Sequence, residues 1–174
     1  MIIAINAGHC PGLDPGAVGQ FLQEADVARD VARVLCADLD AAGYNSLFIQ
    51  EDDLGDVCDI ANNAPADLFV SIHLNAANRQ AEGTETFYYE DGDQSEILAR
   101  CIQTQLVNAL GTVDRGIKAR PGLWVINSTN APAVLVEICF IDNTEEEQMI
   151  AVNKENAAHA IARGITDYLL EVGA

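Results

Sequence analysis

Met1-Ile-Ile-Ala-Ile5-Asn6-Ala-Gly-His9-Cys-Pro-Gly-Leu-Asp14-Pro-Gly-Ala-Val-Gly19 opens the chain and sets its class. The first five residues are apolar and rich in β-branched side chains, the signature of a strand buried on both faces. Then the pattern stops. Gly8, Pro11, Gly12, Pro15, Gly16 and Gly19 crowd into one loop around His9. Such a loop needs unusual backbone angles or close approach to another group. A histidine just past the C-terminal end of a strand sits where open α/β sheets place ligands. Taken alone, it is equally a satisfied loop histidine.

The remaining elements follow the same alternation. Gln23 to Gly43 has helical period, with Val27, Val31, Val34, Leu35 and Leu39 on one face. Tyr44–Gln50 reads as a strand and Leu54–Asn63 as a short helix closed by Pro65. Asp67–Ala76 reads as a central strand, apolar until His73, and Thr84–Glu90 as another strand. Gln94–Leu110 is helical, Leu123–Ile126 a brief strand, and Ala133–Ile141 a very apolar strand with Glu137 in its middle. Thr144 and Glu147 have capping-box spacing at a helix start, and Asn156–Leu170 is the closing helix. Strands alternating with helices predict one α/β domain over residues 1–174. Its twisted sheet should have about six strands, mostly parallel or mixed, with helices on both faces.

Bulk composition removes several function classes. A chain of 174 residues with 49% hydrophobic side chains buries enough core to fold without disulfides. Cys10, Cys36, Cys58, Cys101 and Cys139 are odd in number and scattered, so reduced thiols are expected. A net charge of −18, from 27 acidic and 9 basic residues, argues against nucleic acid and anionic membranes as partners. No apolar run approaches a membrane span, and no secretory signal pattern is visible at Met1.

His73 and Glu137 are polar interruptions of otherwise apolar strands. A buried carboxylate is costly unless paired, metal-bound or set in a cleft. A buried salt bridge is the plainer account of Glu137, though the shortage of basic residues weakens it. Two imidazoles and a carboxylate, His9, His73 and Glu24, form the ligand set of a catalytic zinc that keeps one position open. Glu137, left unligated, would then serve as general base and acid. Any α/β protein carries some His and Glu at element ends, so spacing alone does not decide.

Six ordered blocks extend the argument. Asn6-Ala-Gly-His9-Cys-Pro-Gly-Leu-Asp14-Pro-Gly-Ala-Val-Gly19, Gln23-Glu24-Ala-Asp-Val, Ser71-Ile-His73-Leu-Asn75-Ala76, Gly83-Thr-Glu85-Thr-Phe-Tyr88, Arg115-Gly-Ile-Lys118 and Pro132-Ala-Val-Leu-Val-Glu137-Ile-Cys-Phe140 succeed one another along nearly the whole chain. In these blocks the sequence resembles the zinc-dependent N-acetylmuramoyl-L-alanine amidases of cell-wall autolysins and phage endolysins. The resemblance implies one Zn2+ held by His9, Glu24 and His73, with Glu137 as the catalytic carboxylate. It also implies peptidoglycan as partner, cut at the amide between N-acetylmuramic acid and L-alanine of the stem peptide. Asn75 and Glu85 become candidates for lining the cleft. Lys118 and Arg120, in a loop, become candidates for touching substrate carboxylates, with a solvated basic loop as the alternative.

Three departures from the family pattern stand out. Asn6 replaces an Asp; if that side chain orients a bound imidazole, a neutral amide is a weaker acceptor. Cys10 replaces a glycine beside His9 and is expected to be a spectator rather than an extra thiolate ligand; Cys139 replaces one just after Glu137 and either crowds the site or merely packs. Some relatives insert a helix that blocks the zinc until a partner removes it; the short stretch between His73 and Glu137 leaves no room for one. The expected protein is a monomer with an open site, either made in the cytoplasm as an endolysin or excised from a secreted enzyme. A zinc carboxypeptidase and a non-catalytic wall-binding module are the alternatives. His159 is expected to be structural or solvent-facing.

Overall fold

In the computed structural model, which describes residues 1–174, the elements run β1 (Ile2–Ala7), α1 (Glu24–Ala41), β2 (Asn45–Ile49), α2 (Leu54–Asn63), β3 (Leu68–Asn75), β4 (Thr84–Tyr88), α3 (Gln94–Leu110), β5 (Asp114–Ala119), α4 (Trp124–Asn127), β6 (Ala133–Phe140) and α5 (Thr144–Val172). One mixed sheet has the order β2-β1-β3-β6-β4-β5. β2, β1, β3 and β6 are parallel, β4 runs antiparallel to β6, and β5 is parallel to β4. No helix is long and apolar enough to cross a membrane.

Strand parity assigns the faces. Ile3, Ile5, Val70, Ile72, Val134 and Val136 point into a core covered by α1, α3 and α5. Ala4, Phe69, Ala133 and Leu135 point the other way, into a smaller core under α2 and α4. His73 and Glu137 continue this second row, so the polar break in each strand falls on the thinly covered face. β1 and β3 are neighbours whose connections leave in opposite directions, which opens a crevice at their C-terminal ends.

Two elements differ from the sequence expectation. Leu123–Ile126 is not a strand: after Pro121 and Gly122 it turns into the short helix α4, which buries Val125 and Ile126 against α2. The sixth strand is β5, in the segment read as a loop around Lys118. It is a charged edge strand interrupted by Gly116 at φ 76°, so neither alternation nor apolar content marks it.

The C-terminal helix also differs. Its N-cap is Asn143, which accepts from the amides of Glu145 and Glu146, and Thr144 is the first helical residue. Glu147 does not fold back to cap. Its carboxylate reaches the amides of Gln20, Phe21 and Leu22 instead. At Asn153 the backbone leaves helical geometry (φ −121°, ψ 18°) and kinks, so a second helical stretch carries the chain on to Val172, in keeping with the separate closing helix expected from the sequence; the Asn153 side-chain amide donates to the Met149 carbonyl.

Candidate metal centre and catalytic carboxylate

The parallel edge of the sheet brings four side chains together. His9 follows β1 with φ 60°, in the left-handed region that most side chains avoid. Gly8 and Gly16 make room for the two rings. A Cβ on Gly8 would stand 2.3 Å from the His73 ring, and one on Gly16 would stand 2.5 Å from the His9 ring and 2.7 Å from the Glu24 carboxylate. The imidazoles meet edge to face, with centroids 5.2 Å apart. Glu24 opens α1 and is buried between them, its Oε2 3.3 Å from His9 Nε2 and its Oε1 2.9 Å from His73 Nδ1. The amides of Ala17 and Leu74 also donate to it.

One ligand atom from each of His9, Glu24 and His73 lies within 4.8 Å of the others. His9 offers Nε2, because Nδ1–H is given to Asp14 Oδ2 at 2.5 Å. That carboxylate fixes ring and tautomer, as the outer partners of metal-bound histidines do. Two imidazole nitrogens and a carboxylate oxygen, converging with the free ring nitrogen turned inward, fit a zinc ion. The charges agree. Glu24 and Asp14 lift the His9 imidazole to about 9 against the opposing effect of burial. Burial raises the proton affinity of Glu24, but His73, His9 and the Ala17 amide outweigh it and hold the carboxyl far below the usual range.

Asp14, not residue 6, is therefore the orienting group. Asn6 accepts from Ser71 Oγ at 2.6 Å and donates to the carbonyls of Ala7 and Ile49. It ties β1 to its neighbours and touches neither imidazole, which removes the concern over the missing Asp. Cys10 lies outside the donor cluster, and Cys139 is packed in the main core. His159 faces solvent and pairs with Asp38.

Glu137 pairs in register with His73 on one side and with Glu85 on the other. All three side chains share one face, so a single row crosses β3, β6 and β4. Glu137 Oε2 is buried without a hydrogen-bond partner. Burial, together with the charges of Glu24 and Glu85, pushes its pKa up to about 8. The salt-bridge account of Glu137 fails, since no cation reaches it.

Glu85 is the paired acid. Asn75 Nδ2 donates to it at 2.6 Å, Arg115 Nε at 3.3 Å, and Lys118 Nζ completes the set. Asn75, Glu85 and Lys118 thus form one network beside Glu137. Arg115, absent from the sequence-derived candidates, belongs to it too. Arg120 does not; its guanidinium lies 5.5 Å from the Phe87 ring centroid.

A cleft of about 270 Å³ opens over His9 and His73, walled by Asp14, Glu51, Asp52 and Leu54. A larger hollow of about 470 Å³ lies at the start of β6, near Ser95 and Pro132, and holds none of these groups. The segment between β3 and β6 places α3 against α5 on the far face, and the His9 and His73 side chains remain 29% and 17% exposed.

The profile of the N-acetylmuramoyl-L-alanine amidases matches residues 3–167. The chain is 38% identical to Bacillus subtilis YqiI over 95% of its own length and 84% of that protein's. It is also 38% identical to the N-acetylmuramoyl-L-alanine amidase LytC of the same organism, over 95% of this chain but 35% of LytC. Among solved structures, an N-acetylmuramoyl-L-alanine amidase from Clostridium difficile 630 superposes with a TM-score of 0.90 at 32% identity, covering 97% of this chain and 96% of the other. By sequence, by fold and by the side chains gathered at the sheet edge, the chain belongs to the N-acetylmuramoyl-L-alanine amidase family.

Proposed function

We propose that this chain is a zinc-dependent hydrolase of the amide joining N-acetylmuramic acid to L-alanine of the stem peptide in peptidoglycan. The observation that carries the reading is the register of Glu137 beside His73, with an unpartnered carboxylate oxygen next to a converging His–Glu–His donor set. His9, Glu24 and His73 would hold the metal. Bound there, zinc supplies a Lewis acid that polarises the amide carbonyl and acidifies a water.

The chain's own part in the reaction is proton handling and orientation. Glu137 Oε2 takes the proton of the attacking water and delivers it to the leaving nitrogen of L-alanine. A carboxylate with no hydrogen-bond partner is free to do both. Asp14 keeps His9 Nε2 turned inward, and Glu24 is held by two backbone amides so that it does not rotate away. All four principal side chains come from one chain, so the reading needs no second copy.

The test is metal content and peptide release from purified walls, in wild type and in Glu137→Gln. One zinc per chain in both, with new L-alanine amino termini only in wild type, is the expected result. Zinc without amide cleavage in wild type would move the protein to the wall-binding alternative.

A further inference from the structure

The nine basic side chains are few and most are scattered, yet Arg115, Lys118 and Arg120 lie together along β5 and its exit. Glu85 is the one carboxylate with which this group forms ion pairs. Arg115 is further fixed over the Phe140 ring at 4.9 Å, and Arg120 over Phe87. Lys118 is the member that lies over no aromatic ring: it pairs across to Phe87, its side chain is 38% exposed, and Glu85 engages one of its three N–H donors. Arg115 and Lys118 converge on Glu85, the acid that faces Glu137 across the β4–β6 pair.

The order of groups across the sheet gives a direction to a bound substrate. The metal donors sit at β1, β3 and the start of α1, then Glu137 on β6, Glu85 on β4 and Lys118 on β5. An amide whose carbonyl lies over the donors and whose nitrogen lies at Glu137 sends its leaving peptide over β4 and β5. The residue after L-alanine in a stem peptide is a glutamyl unit whose α-carboxyl is either free or amidated. From the leaving nitrogen to that carboxyl is one Cα–Cα step plus a bond at each end, about 6 Å. Glu85 stands directly across from Glu137, one strand spacing of about 4.8 Å away, and the Lys118 side chain leans back from β5 to bond it, so an extended glutamyl unit leaving Glu137 runs toward the Glu85–Lys118 pair.

We propose that Lys118, held in place by Glu85, binds the free α-carboxylate of the second stem-peptide residue, so that the enzyme prefers free-acid over amidated stems. Arg115 and Asn75 occupy the remaining acceptor capacity of Glu85 and leave the outward donors of Lys118 to the substrate. The inference rests on the amidase reading above.

The experiment compares two muramyl peptides, identical except that the second residue carries a free or an amidated α-carboxyl. Wild type is expected to favour the free acid by about tenfold in kcat/KM, expressed in KM. Lys118→Met is expected to bring that ratio near one, and Lys118→Arg to retain most of it. A ratio near one in wild type, or a ratio unchanged in Lys118→Met, overturns the proposal. Calorimetric binding of both peptides to zinc-loaded Glu137→Gln separates the two readings. If neither peptide is cleaved by wild type, the amidase reading fails. The subsite then still stands or falls on whether the free acid binds more tightly and whether adding Lys118→Met removes the difference.

Discussion

Glu147 offers the sharpest test of how the fold holds the site. Its carboxylate is 1% exposed and lies 127 residues from the loop it serves. Oε1 accepts from Phe21 at 2.6 Å and Leu22 at 2.8 Å, and Oε2 accepts from Gln20 at 3.0 Å. That loop runs directly into Glu24. Hydrogen bonds to a charged group contribute about 1.5–3 kcal/mol each. Gln20 and Phe21 are exposed residues, so water replaces part of what their amides lose. Glu147→Ala should therefore cost about 2–4 kcal/mol, or roughly 5–15 °C in Tm for a domain of this size. Glu147→Gln keeps one acceptor oxygen for Phe21 and Leu22 and should cost about 1–2 kcal/mol. The pH dependence has a definite sign. Burial raises the Glu147 pKa, but the three amides outweigh it and the net shift is downward. Its contribution is then complete above the unfolded carboxylate value of about 4.3 and fades as pH falls through the lower folded value. Urea titrations of the three proteins between pH 3 and 7, analysed at constant m, measure both effects. A Glu147→Ala loss below about 0.5 kcal/mol, or an acid limb identical in wild type and Glu147→Gln, would refute the reasoning.

Three further outcomes follow from particular contacts. Gly16→Ala forces a methyl to 2.5 Å from His9 and 2.7 Å from Glu24, at a φ of 66°, so zinc affinity measured against a competing chelator should fall at least a hundredfold while the circular dichroism spectrum persists. Asp14→Asn leaves the donors but weakens the acceptor of His9 Nδ1–H, and the same competition should show a ten- to hundredfold loss, with Asp14→Glu intermediate. Gly164 lets α5 close onto α3, since a Cβ there would lie 2.5 Å from Ile102 Cα; Gly164→Ala should cost about 1–3 kcal/mol in urea without changing zinc affinity.

The sequence made most of this site legible because burial leaves a mark when it is violated. β3 and β6 are apolar on both faces, so His73 and Glu137 stand out against their own strands. The same contrast fails for β5, whose exposed, charged residues and internal glycine look like any loop. It misleads at Leu123–Ile126, where a four-residue apolar run fits a strand or one helical turn equally well. The capping-box reading of Thr144 and Glu147 sets the cap one residue late, since Asn143 is the N-cap, and tertiary structure gives Glu147 three amides from another segment, a partner too distant for any local pattern to report. Asp14 was in plain view within the first motif. Its role needed the turn in which the amides of Asp14 and Cys10 each bond the other's carbonyl, bringing the carboxylate back under His9.

The row His73–Glu137–Glu85 explains why the site sits where the sheet is least protected. Two carboxylates directly opposite on neighbouring strands repel. The chain answers with different environments for the two. Glu85 receives Arg115, Lys118 and Asn75, and its proton affinity falls although burial pushes it up. Glu137 receives no partner, and its affinity rises. Two acids one strand apart are thereby given opposite environments, one paired with cations and one buried without a partner, and the second environment suits the proton-carrying role proposed for Glu137. Parity does the placing. A one-residue slip of β6 would turn Glu137 into the core of Val134, Val136 and Ile138 and leave those aliphatic groups under the thin face. The apolar alternation that fixes the register of the sheet therefore also fixes which carboxylate faces the metal donors, so the core cannot be misaligned without dismantling the site.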